Sequence, residues 1–342
     1  MTMPMRLCTI ALTWIATAGI AASAQEPATF NFVTANSRGR IILPPGPDWA
    51  SDSIMLLDDG TRPVITYQNK TTGIVLSIIL FPNETGQPTS ESCRDAVIRP
   101  VLDHLGGSAT VVDQKKDMRT GNNGLQLALE SYRIEKVGDI SLQQQNEFGF
   151  YGDKSTCAEV HLSKARYTNA DAAQIESALK LFKFEPGYEP TAHDYSLLGT
   201  VYFSGAHNSA AAAVYYQRAL DTLPPTPENL NTRRVITDQL AMSYGISGDI
   251  DRSRKVNEAA IARDPDYPLY YYNLACADAE QGNADAAREH LQQAFDRRHN
   301  TLPHEQFPDP SSDDSLAKLK DNAQFWDLVT RISAQEKKEA NK

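Results

Sequence analysis

The chain has 342 residues, with 33 lysines and arginines against 43 aspartates and glutamates, and a formal net charge of −10 at pH 7. Because an acidic surface repels phosphate groups, nucleic acid and anionic lipid are excluded as the main partners. The length favours two domains of ordinary size.

Residues 1–24 are typical of a secretory signal peptide. Arg6 is the only charge before a mostly apolar stretch, and Ala22-Ser23-Ala24 forms a small-x-small cleavage pattern. The alternative, an uncleaved anchor, is disfavoured because the stretch is shorter than the roughly 20 residues that span a bilayer. The sequence therefore predicts cleavage after Ala24 and a periplasmic or secreted mature chain without a membrane span.

Three cysteines, Cys93, Cys157 and Cys276, remain after cleavage. An odd number in an exported protein favours one disulfide and one free thiol. Cys93 and Cys157 fall in the same predicted domain, and we predict that they are paired. One difficulty is that Cys157 lies on the opposite strand face from the apolar residues that follow it.

Residues 25–186 alternate between strand and helix patterns. An apolar run at 74–81 is best explained as a strand buried on both faces. Together the patterns predict an α+β domain, an antiparallel sheet with helices against it. In element order, without a shared motif, residues 30–186 resemble the PsbP, Mog1 and DcrB-like fold. The predicted strands are 40–43, 63–68 and 74–81, with others around 125–129, 148–150 and 158–162, and the predicted helices are 90–105 and 169–184.

Residues 187–191 form a linker by their Pro and Gly content, and a repeat of 34 residues follows. Leu240, Ala241 and Gly248 recur as Leu274, Ala275 and Gly282, with small residues where helices touch and Gly where the chain turns. A similar pattern with one extra residue precedes them. The region 192–300 thus resembles the tetratricopeptide family, which implies an all-α superhelix of three helical hairpins that binds protein or peptide.

This resemblance places the binding groove on the first helix of each hairpin. Apolar and aromatic residues dominate that face, and Lys and Arg are absent from it, which disfavours a clamp for a C-terminal carboxylate. An apolar groove for an extended segment is the preferred interpretation. The alternative is that this face packs on the C-terminal segment near Leu319 and Trp326, or on a second copy of the chain. The predicted groove residues are Phe203, Asp238, Met242, Leu269, Tyr272 and Cys276.

Residues 301–332 are suited to a cap on the last repeat, and residues 333–342 are expected to form a solvated, disordered tail. Motifs for catalysis, cofactors and metals are not found. His299 and His304 are separated by Pro303, which disfavours a zinc site. His161 and Glu159 share a strand face, and they could be an acid/base pair or ordinary sheet residues.

The sequence favours a non-catalytic adaptor that mediates protein–protein interaction in an exported compartment. Two other classes stay open, a small-molecule binder and a hydrolytic enzyme, each using the α+β domain while the array recruits a partner. Homo-oligomerisation is also left open.

We expect the intact mass of protein recovered from the extracytoplasmic fraction to match a chain that begins at Gln25, because the small-x-small pattern ends at Ala24. Electrospray mass spectrometry of the purified protein measures this directly. A mass that retains residues 1–24 would contradict the prediction.

Overall fold

The computed structural model describes residues 30–32, 39–43, 48–57, 62–121, 124–303 and 305–340. The predicted signal peptide lies outside these residues. The chain divides between His207 and Asn208 into two compact units, called here the sheet unit and the helical unit. Within the described ranges, no helix combines the length and hydropathy needed to cross a bilayer.

The sheet unit contains a seven-stranded antiparallel sheet with the order β3-β4-β5-β9-β8-β7-β6 and a three-stranded sheet with the order β1-β2-β10. The strands are β1 (Phe30–Phe32), β2 (Gly39–Leu43), β3 (Trp49–Leu57), β4 (Arg62–Asn69), β5 (Val75–Pro82), β6 (Ala109–Thr120), β7 (Gln126–Val137), β8 (Ile140–Gly152), β9 (Thr156–Lys164) and β10 (Lys183–Pro186). Its helices are α1 (Ser90–Leu105), α2 (Ala172–Leu181) and α3 (Ala192–Thr200).

Strand β5 shows why the large sheet is covered on both faces. Its residues Ile78 and Leu80 belong to one core cluster, which also includes Ile175 of α2. Phe81 points to the other face and packs in a second cluster with Ile98 of α1. The prediction of an α+β domain with a doubly buried strand is therefore confirmed.

The predicted helix 169–184 is wrong at its end, since α2 stops at Leu181. Phe184 instead pairs with Ile41 across β10 and β2, and the ring of Phe182 lies 5.1 Å from that of Tyr151. Phe182 and Phe184 are both buried. Their contacts are with residues far away in the sequence, which a local helical pattern does not reveal.

Strands β3 and β6 were not predicted. Most of β6 is polar and exposed, as expected for the edge strand that it is.

Cys93 and Cys157 form a disulfide with their Cα atoms 5.7 Å apart, as predicted. Cys157 does point to the opposite face of β9 from Ala158 and Val160. All three residues are nevertheless fully buried, because β9 is covered on both faces. The side that carries Cys157 faces α1, which supplies Cys93. Thr89 caps this helix by accepting a hydrogen bond from the Ser92 backbone nitrogen.

The segment after β10, predicted to be a linker, is held by side-chain contacts. The Tyr188 hydroxyl donates to the Asp194 carboxylate at 2.7 Å, and the Arg40 guanidinium lies over the Tyr188 ring at 4.1 Å. Helix α3 and the π-helical turn Val201–Gly205 that follows it belong to the sheet unit. The sequence had assigned both to the first repeat of the array.

The helical unit consists of helices packed as successive antiparallel neighbours. They are α4 (Ser209–Thr222), α5 (Leu230–Ile246), α6 (Ile250–Ile261), α7 (Pro268–Glu280), α8 (Ala284–Asp296) and α9 (Ala323–Ala340). Gly248 and Gly282 turn the chain within the α5–α6 and α7–α8 hairpins with φ of 87° and 75°, which only Gly adopts readily. Fully buried Ala241, Ala275 and Ala287 allow the close helix contacts that the sequence predicted.

The predicted solvated tail is instead largely helical, because α9 continues to Ala340. Ser333 is buried, and its hydroxyl donates to the Asp309 carboxylate at 2.5 Å. Glu336 forms an ion pair with Arg298. These contacts join the last turns of α9 to the preceding loops, and sequence composition alone could not show them.

We expect Gly152→Ala to destabilise the sheet unit by about 1–3 kcal/mol, because overpacking of a close contact forces the neighbours apart. A Cβ atom at Gly152 would lie 2.6 Å from both the Cys93 Sγ and the Thr89 carbonyl oxygen. Gly107→Ala is the matched control, since a Cβ atom there meets nothing within 4 Å. Thermal unfolding of both variants tests this, and equal stabilities would contradict it.

Candidate functional site

The candidate site is the inner face of the helical unit, defined by two equivalent stripes of residues. The repeat of 34 residues relates residues 234–246 of α5 to residues 268–280 of α7, and spacings of three or four residues keep each stripe on one side of its helix. The α5 stripe is Val235, Asp238, Met242 and Ile246, and the α7 stripe is Leu269, Tyr272, Cys276 and Glu280.

The α7 stripe is covered by residues 305–315, called here the strap. The Phe307 ring lies edge-on to the Tyr272 ring, with the ring centroids 5.7 Å apart. The Tyr272 hydroxyl donates to the Asp313 carboxylate at 3.2 Å, and Tyr272 is only 4% exposed. The alternative considered for this face, contact with the C-terminal segment, therefore applies to Tyr272.

The Cys276 thiol lies beneath the same carboxylate, with its Sγ 3.7 Å from Asp313 Oδ2. Burial, and then the negative charge of Asp313, raise the pKa of the Cys276 thiol well above its ordinary value. The thiol is therefore neutral at physiological pH and unreactive while the strap is in place. One turn further along α7, Glu280 forms an ion pair with Lys318.

The α5 stripe is more open than the α7 stripe. Val235 and Met242 are half-buried, and Ile246 is 50% exposed. Asp238 accepts a hydrogen bond from the Asn273 side chain at 2.8 Å, which joins α5 to α7. Burial, together with the charge of Glu305, raises the pKa of Asp238 to about 7.

Of the remaining predicted groove residues, Leu269 belongs to the α7 stripe and Phe203 lies in the sheet unit. Leu269, half-buried, packs against the cluster that contains Tyr270, as does Leu302. Phe203 is half-buried in the π-helical turn of the sheet unit. The structure thus brings Asp238, Met242, Tyr272 and Cys276 onto adjacent helices. Sequence reasoning missed the strap residues Phe307 and Asp313, although Phe307 is a lone aromatic residue in an otherwise polar segment.

The proposed acid/base pair of the sheet unit lies in a buried polar cluster. His161 stacks on the Phe148 ring at 4.0 Å, its Nε2 lies 3.1 Å from Asn146 Oδ1, and burial lowers its pKa to about 4. Glu159 is buried, as is Glu130, which accepts a hydrogen bond from the Gln114 side chain at 2.8 Å. A histidine held neutral by burial, stacked on a phenylalanine ring and beside a buried asparagine, suits a structural role.

Among the residues that the structure describes, no three His, Cys, Asp or Glu side chains converge to hold a metal ion. His304 lies outside the described residues, so the spacing of His299 and His304 is not addressed by this finding.

No protein-family model matches the chain, and no curated protein sequence matches it either. Solved structures are similar in fold. The tetratricopeptide domain of Sgt2 from Aspergillus fumigatus is 15% identical, with 45% of this chain and 81% of that chain covered and a TM-score of 0.30. The PsbP protein CyanoP from Synechocystis sp. PCC 6803 is 14% identical, with 49% and 98% covered and a TM-score of 0.36. PcrH from Pseudomonas aeruginosa is 13% identical, with 42% and 91% covered and a TM-score of 0.30.

We expect Asp238→Asn to stabilise the helical unit more at pH 8 than at pH 5. Because the pKa of Asp238 is raised to about 7 in the folded state, the folded chain keeps a proton on this carboxyl at pH values where the unfolded chain has released it. The free energy of unfolding therefore falls as pH rises from about 4 to about 7. The amide of the variant keeps an acceptor for Asn273 and does not titrate, so its free energy of unfolding does not fall in this way. We place the avoided loss at about 1–2 kcal/mol, since the Asp238 side chain is partly exposed to solvent.

Thermal unfolding followed by helical circular dichroism at the two pH values measures this effect. The control is Asp327→Asn, which changes the same charge at an exposed position of α9. A stabilisation by Asp238→Asn that does not depend on pH would contradict the prediction.

Proposed function

We propose that this protein is an exported, non-catalytic adaptor that binds an extended segment of a partner protein along the inner face of its helical unit. The observation that carries the proposal is the strap. An irregular segment lies on the α7 stripe through an aromatic ring and a carboxylate, so this face has the shape and chemistry to hold a peptide.

The α5 stripe offers the equivalent surface one repeat earlier. Met242 is equivalent to Cys276, and Ile246 to Glu280, by the 34-residue offset. The exposed Ile246 side chain would lose water on contact with an apolar partner side chain, which favours binding by about 25 cal/mol per Å² of area buried. Because the stripe carries no Lys or Arg, we propose apolar side chains rather than a terminal carboxylate as what it recognises.

Export to a periplasmic or extracellular compartment is part of the proposal. The signal peptide pattern of residues 1–24 supports it. The disulfide between Cys93 and Cys157 also supports it, since such bonds persist in oxidising compartments.

Site-specific photocrosslinking in the producing cells tests the proposed surface. We expect a photoreactive amino acid at position 242 or 246 to yield adducts with another protein. The same group at Glu289, which is exposed on α8 outside both stripes, is the control and should yield none. Adducts of equal yield at all three positions, or at none, would contradict the proposal, and an adduct of twice the chain mass would identify a second copy as the occupant.

Once the crosslinked partner is identified, the double variant Met242→Ala and Ile246→Ala should weaken its binding by on the order of 2 kcal/mol, the loss typical of interface anchors. Helical circular dichroism should be unchanged because neither side chain is fully buried. Calorimetric titration measures the affinity, and an affinity equal to that of the parent chain would argue against the α5 stripe as the anchor.

A further inference from the structure

We propose that the strap is an intramolecular occupant of the α7 stripe, and that a partner segment with an aromatic ring followed six residues later by a carboxylate replaces it there. This inference rests on the proposed function, because it names the chemistry of a bound segment and the way in which access to the site is regulated.

The strap holds α7 through side chains that another segment can imitate. Phe307 contacts the rings of Tyr272 and Phe295, with centroids 5.7 and 6.1 Å away. Asp313 accepts the hydrogen bond from the Tyr272 hydroxyl. The backbone hydrogen bonds of this region are local, as between the Ser312 nitrogen and the Asp309 oxygen. Replacing the strap on α7 would therefore exchange a ring and a carboxylate, and it would also break the hydrogen bond from the Ser333 hydroxyl of α9 to Asp309, but no strand or α-helix.

The segment after the strap has a different role. Leu316 and Leu319 are buried in the same core cluster as Phe325 and Val329 of α9. Phe307, Asp309 and Asp313, in contrast, are only half-buried. The buried leucines anchor the C-terminal end of the strap, and buried Pro310 and the hydrogen bond from Ser333 of α9 to Asp309 hold its middle. Release therefore means loss of the Phe307 and Asp313 contacts with α7 together with the Asp309–Ser333 bond, while Leu316 and Leu319 stay in the core.

The hydrogen-bond donors around Asp313 form a site that holds one carboxylate. The Tyr272 hydroxyl and the neutral Cys276 thiol both face Asp313 Oδ2. The other oxygen of Asp313 accepts hydrogen bonds from the Ser315 and Leu316 backbone nitrogens. A hydroxyl donor in an apolar surrounding selects a hydrogen-bond acceptor, because burial without a partner is costly. An incoming segment therefore needs an acceptor at this point and a ring at the Phe307 position.

The reaction rate of the Cys276 thiol reports whether the strap is in place, and this measurement needs no partner protein. It is the only free cysteine among the described residues, and Asp313 lies directly over its thiol. Release of the strap would admit water and remove the nearby negative charge, and both changes raise the thiolate fraction and the rate of thiol reaction.

The first experiment measures the rate at which Cys276 of the full mature chain reacts with a chromogenic aromatic disulfide reagent. We expect Asp313→Asn to react at least threefold faster than the parent chain. Asp314→Asn removes the same charge from the exposed neighbouring residue and should leave the rate unchanged. Phe307→Ala is a second variant, which removes the ring contact without affecting the local hydrogen bonds of Asp313.

Helical circular dichroism shows whether Asp313→Asn and Phe307→Ala fold. If one of them does not, the reaction rate of the other tests the proposal. Rates equal to that of the parent chain in the folded variants would overturn the proposal.

The second experiment adds a synthetic peptide with the sequence of residues 305–315 to the Phe307→Ala chain. A tethered segment competes at an effective concentration on the order of millimolar, so the weakened strap is needed for the free peptide to compete. We expect the peptide to slow the Cys276 reaction, and a peptide carrying Phe307→Ala and Asp313→Asn to have no effect. If neither peptide slows it, replacement of the strap by a segment of this chemistry is wrong.

The two proposals fail separately. Loss of the crosslinks at positions 242 and 246 with intact peptide protection of Cys276 would overturn the adaptor surface on α5 while supporting the α7 site. Crosslinks at those positions without peptide protection of Cys276 would support the adaptor surface on α5 and overturn the α7 site.

Discussion

A helical hairpin of this kind exposes an apolar face that it cannot bury by itself, and each repeat in the array depends on the next to cover it. In the helical unit this constraint extends from α4 to α8, where fully buried alanines such as Ala241 and Ala275 let the helices approach closely. After α8 no further repeat follows. The C-terminal segment covers the last faces, and this requirement explains both α9 and the strap.

The cover has two parts that differ in chemistry. The part formed by α9 and the turn Leu316–Leu319 is apolar and joins the core of the last hairpin. The strap is mostly polar and lies on the inner side of α7 through Phe307 and Asp313. A cap that served stability alone would gain more from an apolar residue than from Asp313 at this point. The half-buried carboxylate and ring instead resemble a bound ligand, which connects the architecture of the cap with the function proposed for the inner face.

The sequence predicted the elements whose determinants are local or periodic. The 34-residue period located α5 to α8, since Ala241 and Gly248 recur as Ala275 and Gly282, and Pro268 marks the start of α7. The helical pattern of residues 90–105 predicted α1, and shared domain membership predicted the disulfide. Elements that depend on long-range partners were missed: β10 exists because Phe184 pairs with Ile41. The last turns of α9 have polar residues that composition assigns to solvent, although Ser333 bonds to Asp309.

The candidate site shows the same division. The 34-residue period predicts that Asp238 is equivalent to Tyr272 and Met242 to Cys276. It does not predict which of the two stripes is open, because the strap contacts join residues about 40 positions apart in the sequence. The sheet unit offers a contrast. Arg94 and Glu130 form a buried ion pair there, and His161 is held neutral by burial. Groups arranged in this way stabilise one conformation. The inner face instead presents a half-exposed Ile246 and, two turns earlier on α5, the Asp238 carboxylate, whose pKa burial raises to about 7. On the proposed function, a partner would cover Ile246.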